Sequence, residues 1–504
     1  MDLKFARRAL SVAAFGVPLI VYIFSLMPSV GFWDTGEMQT VPFILGIAHP
    51  TGFPLFVLLG YVFSHLVVIG DVAWRLSLMS AIAMAGATWL IFRTLRDDGT
   101  NGIVACLSAW TFAFGAVVWT RGTRAEVHAL VILLIGGSIW AALRFHRTGD
   151  RKPLFACALC LGLGAATHPV MVWALPGIAL LLLFHSKGAD RPGARDRWIA
   201  AGLALTPFLL YLYMPLRSAY VASHALDPTQ TLGLAPSQAF WNWGHPADSQ
   251  GFARTLLGSY YAKWDALVAI LHPALYPSMA QSFAVKGYGE FSLVAIALAI
   301  IGVVAVFFKD FVKAAALMLV ALAGIPFALN FAIETDFDRY LLTAFWVLAL
   351  FAGYGAQAIV KILGRRAGAA VATAAVALLL FVNTGYTVYA NRATFAQRAD
   401  HLGDAFIDRT ARLTQDHSII VATWIYATPL AYGSYVEHRL GTRTIVSAEP
   451  NQIASFIRKW RTTRPVYAIY FQPFGDLVST LDGMRLSPIQ GGTPTIYRVV
   501  TEGK

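Results

Sequence analysis

About eleven apolar stretches, most of them roughly 17–22 residues long, constrain this chain more than any other feature, because a helix of that length crosses the hydrocarbon core of a bilayer. They fall near residues 9–28, 73–92, 102–119, 127–143, 153–167, 169–185, 198–214, 290–308, 312–330, 340–360 and 368–386. Composition agrees. The 504 residues are 57% hydrophobic and 13% charged, with a mean hydropathy of +0.60, whereas a soluble domain carries about a quarter charged residues. The fold class that follows is mainly α, a polytopic membrane protein.

The formal net charge of +12 would suit nucleic acid if the basic residues formed one patch. Instead they gather in alternate intervals between the apolar stretches: Lys4/Arg7/Arg8, Arg93/Arg96, Arg144/Arg147/Arg151/Lys152, Lys187/Arg191/Arg195/Arg197, Lys309/Lys313 and Lys361/Arg365/Arg366. That alternation is the positive-inside signature of a membrane protein, and it excludes a nucleic-acid partner. It puts the 29–72 loop, Arg121–Glu126, His168, the long 215–289 loop, Glu334–Arg339 and everything after about 387 on the opposite, outer side. The apolar Leu55–Ile69 segment must then lie in the outer interface, because a further crossing there would invert every later loop.

The N-terminal run Ala9–Met27 reads as an uncleaved first span, since no small-residue cleavage site follows it. Cys106, Cys157 and Cys160 lie inside apolar runs, where a thiol is inert packing. After about residue 387 the chain turns polar. β-like runs at Ser418–Ala422, Thr444–Val446, Val466–Tyr470 and Thr495–Val499 alternate with helical stretches, as in a small α/β domain. The expected organisation is a membrane domain over 1–386 and an extracytoplasmic domain over 387–504. The second domain reads equally as a lid or acceptor-binding element and as a stabilising cap.

The chemistry-bearing residues cluster on the outer side. Asp34 and Glu37, in Trp33-Asp34-Thr35-Gly36-Glu37, are spaced to share one face of a helical turn. Burial near an apolar interface would raise their basicity, which suits a general base removing a proton from a hydroxyl; the plainer alternative is a helix cap. Arg217 and Arg339 end outer intervals and have the planar fork that holds a phosphate, or else anchor headgroups. Glu126 and His128 open one apolar run, and His49 and His168 each precede a proline. Carboxylate and imidazole together suit a divalent ion, but no His-x-x-x-His spacing is present, so no cofactor is required on this reading. Trp241 and Trp243, in Trp241-Asn242-Trp243-Gly244-His245-Pro246, and Ser259-Tyr260-Tyr261 beyond them, offer a sugar-stacking surface or an interfacial anchor.

These stretches resemble a known family. An acidic first outer loop, an interfacial helix, many spans and an outer soluble domain are similar to the GT-C glycosyltransferases. The closer resemblance is to the protein O-mannosyltransferase-like family, formerly a domain of unknown function, whose vertebrate relative acts on plexin-type receptor domains. It rests on Trp33–Glu37, Gly46–Phe56, Ala125–His128, Tyr213–Ser218, Trp241–Gly244 and Asp338–Leu342, and covers roughly residues 1–360. The family often has a proline at the place of Thr51 and a tyrosine at that of His128. The resemblance implies an inverting transfer of a hexose, mannose foremost, from a polyprenyl-phosphate sugar to a hydroxyl acceptor such as protein Ser/Thr. The setting would be the outer face of a bacterial inner membrane. Asp34 would be the base and Glu37 its partner, with Arg217, Arg339 and His49 at the donor phosphate. Glu126, His128, His168, Trp241, Trp243 and Asp338 would line the acceptor and sugar side. Two other readings stand beside it: a GT-C transferase acting on a lipid or envelope glycan, and a transporter of lipid-linked sugars. The second fits less well, because transporters place polar groups at the bilayer midplane.

Overall fold

The computed structural model describes residues 3–184, 192–234, 240–259, 289–325, 337–470, 484–489 and 491–501, with a few isolated positions between them. Tyr260, Tyr261, Lys187, Arg191, Glu334 and Asp336, named above, lie outside the described residues.

The chain is mainly helical. α1 (Leu3–Phe24) leads to two short helices, α2 (Asp34–Ile44) and α3 (Pro54–Leu66). α4 (Val72–Asp97) follows, its first turn capped by Asp71, which accepts the Trp74 amide at 2.7 Å. Next come α5 (Gly102–Ala113), α6 (Ala116–Gly122), α7 (Val127–Thr148), α8 (Arg151–Ala165), α9 (Leu175–Leu183), α10 (Ala194–Leu205), α11 (Tyr213–Ser223) and α12 (Ser249–Leu256). The membrane portion closes with α13 (Leu293–Lys309), α14 (Phe311–Ala323), α15 (Leu342–Ala367) and α16 (Ala369–Ala390).

Among the described residues, six helical segments are long and apolar enough to cross a bilayer, or seven with the bent pair α5–α6. The shorter apolar helices Pro54–Leu66, Pro169–Leu183, Leu293–Lys309 and Phe311–Ala323 accompany them. Helix is found at every stretch expected to span, but one detail differs. Residues 102–119 do not form one rod: α5 and α6 meet at 76°. The break is held by buried polar groups, since the Glu290 carboxylate accepts the Val117 amide at 2.7 Å and Tyr22 Oη donates to the Ala113 carbonyl at 2.7 Å. Leu55–Ile69 does form a separate helix, α3, ended at Val67.

The bundle core is built on aromatic and small residues: Phe112, Trp119, Phe345, Trp346 and Phe351 are buried among alanines. Large apolar side chains such as Val12, Phe308, Leu378 and Phe381 face outward, as lipid-facing positions do. α13 and α15 pack backbone to backbone. A Cβ at Gly355 would come 1.9 Å from the Leu298 carbonyl oxygen, and one at Gly302 would come 1.8 Å from that of Phe351.

The C-terminal portion is a five-stranded sheet: β1 (Ile419–Ala422), β2 (Thr444–Ser447), β3 (Val466–Ile469), β4 (Met484–Ile489) and β5 (Ile496–Thr501), in the order β2-β1-β3-β5-β4. β2, β1 and β3 run parallel, while β5 is antiparallel to β3 and to β4. The helices are α17 (Leu402–Leu413), α18 (Trp424–Tyr435) and α19 (Pro450–Trp460). Four of these strands coincide with the expected β-like runs. β4 was hidden because it carries Pro488, which a ladder tolerates only at an edge. α18 is buried from Tyr426 to Tyr435, since one side meets the sheet and the other meets α2.

Gly355→Ala is expected to lower thermal stability in detergent by about 1–3 kcal/mol, the usual cost of overpacking. Gly385→Ala, where an added Cβ meets nothing within 4 Å, should leave it unchanged or slightly raised. Paired melting curves check both.

Candidate active site

Asp34 is the first residue of α2, and it does not cap that helix. The N-cap position is Trp33, in the left-handed region at φ 56°, with no side-chain cap bond. The Asp34 carboxylate turns instead to two remote segments. Its Oδ2 accepts Arg339 Nη1 at 2.7 Å and its Oδ1 accepts the indole Nε1–H of Trp424 at 2.9 Å. Burial alone would raise the Asp34 carboxyl, but Arg339, His49 and the Trp424 indole outweigh it and hold it well below the usual carboxylate range. Desolvation would strengthen the base unless cations offset it, and at Asp34 the cations do so.

Glu37, one turn on, is fully buried. It binds the following loop, taking the His49 amide on Oε1 at 2.8 Å and the His49 Nδ1 on Oε2. Burial opposes charge on the imidazole, but Glu37 and Asp34 more than offset it and raise the His49 pKa. The loop is conformationally strained as well. Leu45 and Phe53 have φ of 50° and 44°, conformations that cost a non-glycine residue about 1–3 kcal/mol and cluster at functional sites.

A second cluster adjoins the first. The buried Arg121 guanidinium pairs with Glu126 at 3.0 Å and with Asp338 at 2.6 Å. Glu126 also caps α7 and holds His128 Nδ1 at 2.8 Å. The His128 ring lies 4.6 Å from that of His168 and 5.3 Å from that of Tyr340. His168 stacks on Phe53 at 5.4 Å, and Phe53 meets His49 edge-on at 4.9 Å. Phe53 and the Asp338–Arg339 dipeptide therefore join the two clusters.

The structure thus brings together Asp34, Glu37, His49 and Arg339, with Glu126, His128, His168 and Asp338 beside them. Trp243 stands 5.2 Å edge-on to Trp424 and 6.4 Å from His49. Trp241 lies further along, 5.9 Å from Tyr435. Arg217 stands apart from the expected pairing with Arg339 opposite Asp34. It donates to the Leu45 carbonyl at 2.8 Å and to that of Ile44 at 3.0 Å, buttressing the strained end of α2. Asp338 and Glu126, expected on the sugar side, both contact Arg121, and Glu126 also holds His128. Sequence reasoning missed Arg121 and Trp424. Arg121 carried a signal, an arginine five residues from Glu126; Trp424 carried none, being one aromatic in a remote domain. Ligand atoms of Asp34, Glu37 and His49 lie within 4.8 Å of one another, a mixed carboxylate and imidazole set that suits a divalent cation, although Glu37 and His49 already satisfy each other.

A helical membrane bundle with a C-terminal sheet domain is an architecture shared with solved structures. ArnT from Cupriavidus metallidurans in its apo state matches with a TM-score of 0.58 at 11% identity, covering 99% of this chain and 98% of that one. The same protein bound to undecaprenyl phosphate matches with 0.51 at 12% identity, covering 97% of each. The fold is that of the GT-C membrane glycosyltransferases. More particularly, residues 34–190, beginning at Asp34 itself, match the family model described as the protein O-mannosyl-transferase TMEM260 N-terminal domain. Protein O-mannosyl-transferase TMEM260 of Mus musculus is 24% identical over 509 residues, 96% of this chain and 67% of that protein. The Dictyostelium discoideum protein of that name is 34% identical over 263 residues, 48% of this chain and 29% of its own length.

Because His49 is raised above its ordinary value of about 6.5, its pairing stabilises fully below that pH and is lost as pH rises through the raised value. The melting temperature of the wild type should therefore fall from neutral toward alkaline pH more steeply than that of Glu37→Gln.

Proposed function

We propose that this protein transfers a hexose, mannose foremost, from a polyprenyl-phosphate carrier to a hydroxyl of a protein Ser or Thr, with inversion. The site would face the extracytoplasmic side. The observation that carries the reading is the Asp34–Arg339 pair, a base and a phosphate-binding cation in direct contact at one end of a membrane bundle. The names of the TMEM260 relatives support mannose and a protein acceptor, and the undecaprenyl phosphate bound to ArnT supports a lipid carrier. The Lys/Arg clusters at the opposite ends of the helices support the sidedness, since they would be retained on the cytoplasmic face. We place the protein in a bacterial inner membrane on the same argument.

The acceptor oxygen attacks the anomeric carbon while its proton passes to Asp34. The bond from that carbon to the phosphate oxygen breaks, and the lipid phosphate leaves with the electron pair. Arg339 is the cation placed to meet that developing charge. Before the donor arrives, Arg339 holds Asp34 ionised but weakly basic. A donor phosphate that draws the guanidinium toward itself removes this restraint, so basicity rises when it is needed. Glu37 and His49 keep the loop and the base in register. A divalent ion at Asp34, Glu37 and His49 would add positive charge at the same place; loss of turnover on chelation would reveal it.

Trp241 and Trp243 supply the sugar-facing aromatic surface on this reading. Their indole nitrogens, with Asn242 Oδ1 and His128 Nε2, are buried without a hydrogen-bond partner among the described residues. Orphaned polar atoms of this kind ask for a polar ligand. Transfer to a lipid or glycan hydroxyl uses the same chemistry and remains the second reading.

Asp34→Asn is expected to abolish transfer with folding intact, and Arg339→Ala to lower turnover by about a hundredfold or more, as removal of a charge-stabilising group does. Purified protein incubated with a panel of polyprenyl-phosphate sugars and Ser/Thr peptides or envelope glycans, read by mass spectrometry, names donor and acceptor. Wild-type rates in Asp34→Asn would refute the base assignment.

A further inference from the structure

The reading above leaves unexplained why a residue of the C-terminal domain reaches into the membrane domain's carboxylate. Trp424 is the first residue of α18, directly after β1 and Thr423. β1 lies between β2 and β3, so the chain leaves it to one side and later returns on the other. In open parallel sheets the crevice beyond the carboxyl end of such a strand is where ligands bind. Here the crevice is filled by α2. Gly36 lets α18 approach so closely that a Cβ there would sit 3.0 Å from Thr428 Oγ1. Further along the helix, Tyr432 Oη accepts the Ala73 amide at 3.0 Å, tying α18 to the start of α4.

The Trp424 ring is fixed on several sides. It stacks on Phe240 at 5.4 Å with the planes 9° apart, meets Trp243 edge-on, and lies 6.1 Å from His49. Its N–H then points at Asp34 Oδ1, while Arg339 occupies Oδ2. The charged and titratable groups acting on Asp34 are Arg339 from the 337–341 turn, His49 from the loop after α2 and Glu37 from α2 itself. Of the two donors to the carboxylate among the described residues, one is a cation that a phosphate can draw away. The other is neutral and has no such competitor.

We propose that Trp424 is a positioning residue: its neutral N–H keeps the Asp34 carboxylate oriented when Arg339 turns to the donor phosphate, leaving Oδ2 for the acceptor proton. The C-terminal domain thereby completes the active site. This rests on Asp34 being the base. A cation in the place of Trp424 would orient equally well but would suppress basicity, and an apolar ring would leave the carboxylate free to rotate.

The test uses the full-length protein with undecaprenyl-phosphate mannose as probe. Trp424→Phe keeps an aromatic ring beside Phe240 and removes the N–H together with part of the ring. Its kcat should fall roughly tenfold or more, the size expected for a hydrogen bond to a charged group, with donor KM and melting temperature held. Tyr432→Phe, on the same helix but away from Asp34, should lower the melting temperature and keep kcat. Wild-type kcat in Trp424→Phe, or an equal kcat loss in Tyr432→Phe, overturns the proposal. A measurement free of turnover stands beside it. In protein labelled with 15N-indole tryptophan, the resonance missing from Trp424→Phe should shift in Asp34→Asn, and an unmoved resonance also overturns the proposal. Turnover by Asp34→Asn would instead overturn the base assignment, a separate failure.

Discussion

One carboxylate holds three remote parts of this molecule together. Asp34 stands at the start of α2, Arg339 comes from just before α15, and Trp424 from the C-terminal domain, so the bonds at Oδ2 and Oδ1 join segments 305 and 390 residues apart. A carboxylate at an apolar boundary is expensive unless its charge is matched. Matching it with a guanidinium and an indole N–H fixes the first loop, the turn before α15 and the sheet domain relative to one another. Much of the surrounding structure reads as support for that arrangement. Glu37 secures the His49 loop, Arg217 secures the strained carbonyls at the end of α2, and Arg121 secures Asp338 beside Arg339.

The same arrangement explains why Asp34 is only weakly basic at rest although the proposed chemistry calls for a base. Among the described residues of the site, Asp34 is answered by Arg339, Glu37 by His49, and Glu126 and Asp338 by Arg121. These pairs make a stable resting site in low-dielectric surroundings, where an unpaired charge would cost far more than a pair. Reactivity then has to come from a partner exchange, with an anionic substrate competing for one of the cations. A phosphate carried on a lipid is a competitor of the right sign and location.

The membrane bundle was largely legible. Each long apolar run became helix because the bilayer leaves no other way to satisfy a backbone, and the apolar 55–69 segment, excluded as a span by charge bookkeeping alone, is the separate helix α3. The break between α5 and α6 was not legible, since it depends on Glu290 arriving from another part of the chain to cap Val117 and Val118. Within the site, the acids of the first loop announced themselves by their setting, and Arg339 by its place at a boundary. Arg217 looked equivalent to Arg339 in sequence, yet it lies on backbone carbonyls. Nothing local distinguishes an arginine that meets a carboxylate from one that meets a peptide oxygen.

The sequence by itself determined the helical class and singled out Asp34 among the acids of the first loop. Apolar length, charge alternation and isolated acids are local properties, and solvent acts on them residue by residue. Only the tertiary structure decided which cation and which donor Asp34 receives, and that the C-terminal domain contributes Trp424. Those outcomes depend on where distant backbones come to rest, through close approaches such as Gly36 against Thr428 and Gly355 against Leu298. A carboxylate has no preference in sequence among the many donors able to satisfy it; geometry makes the choice.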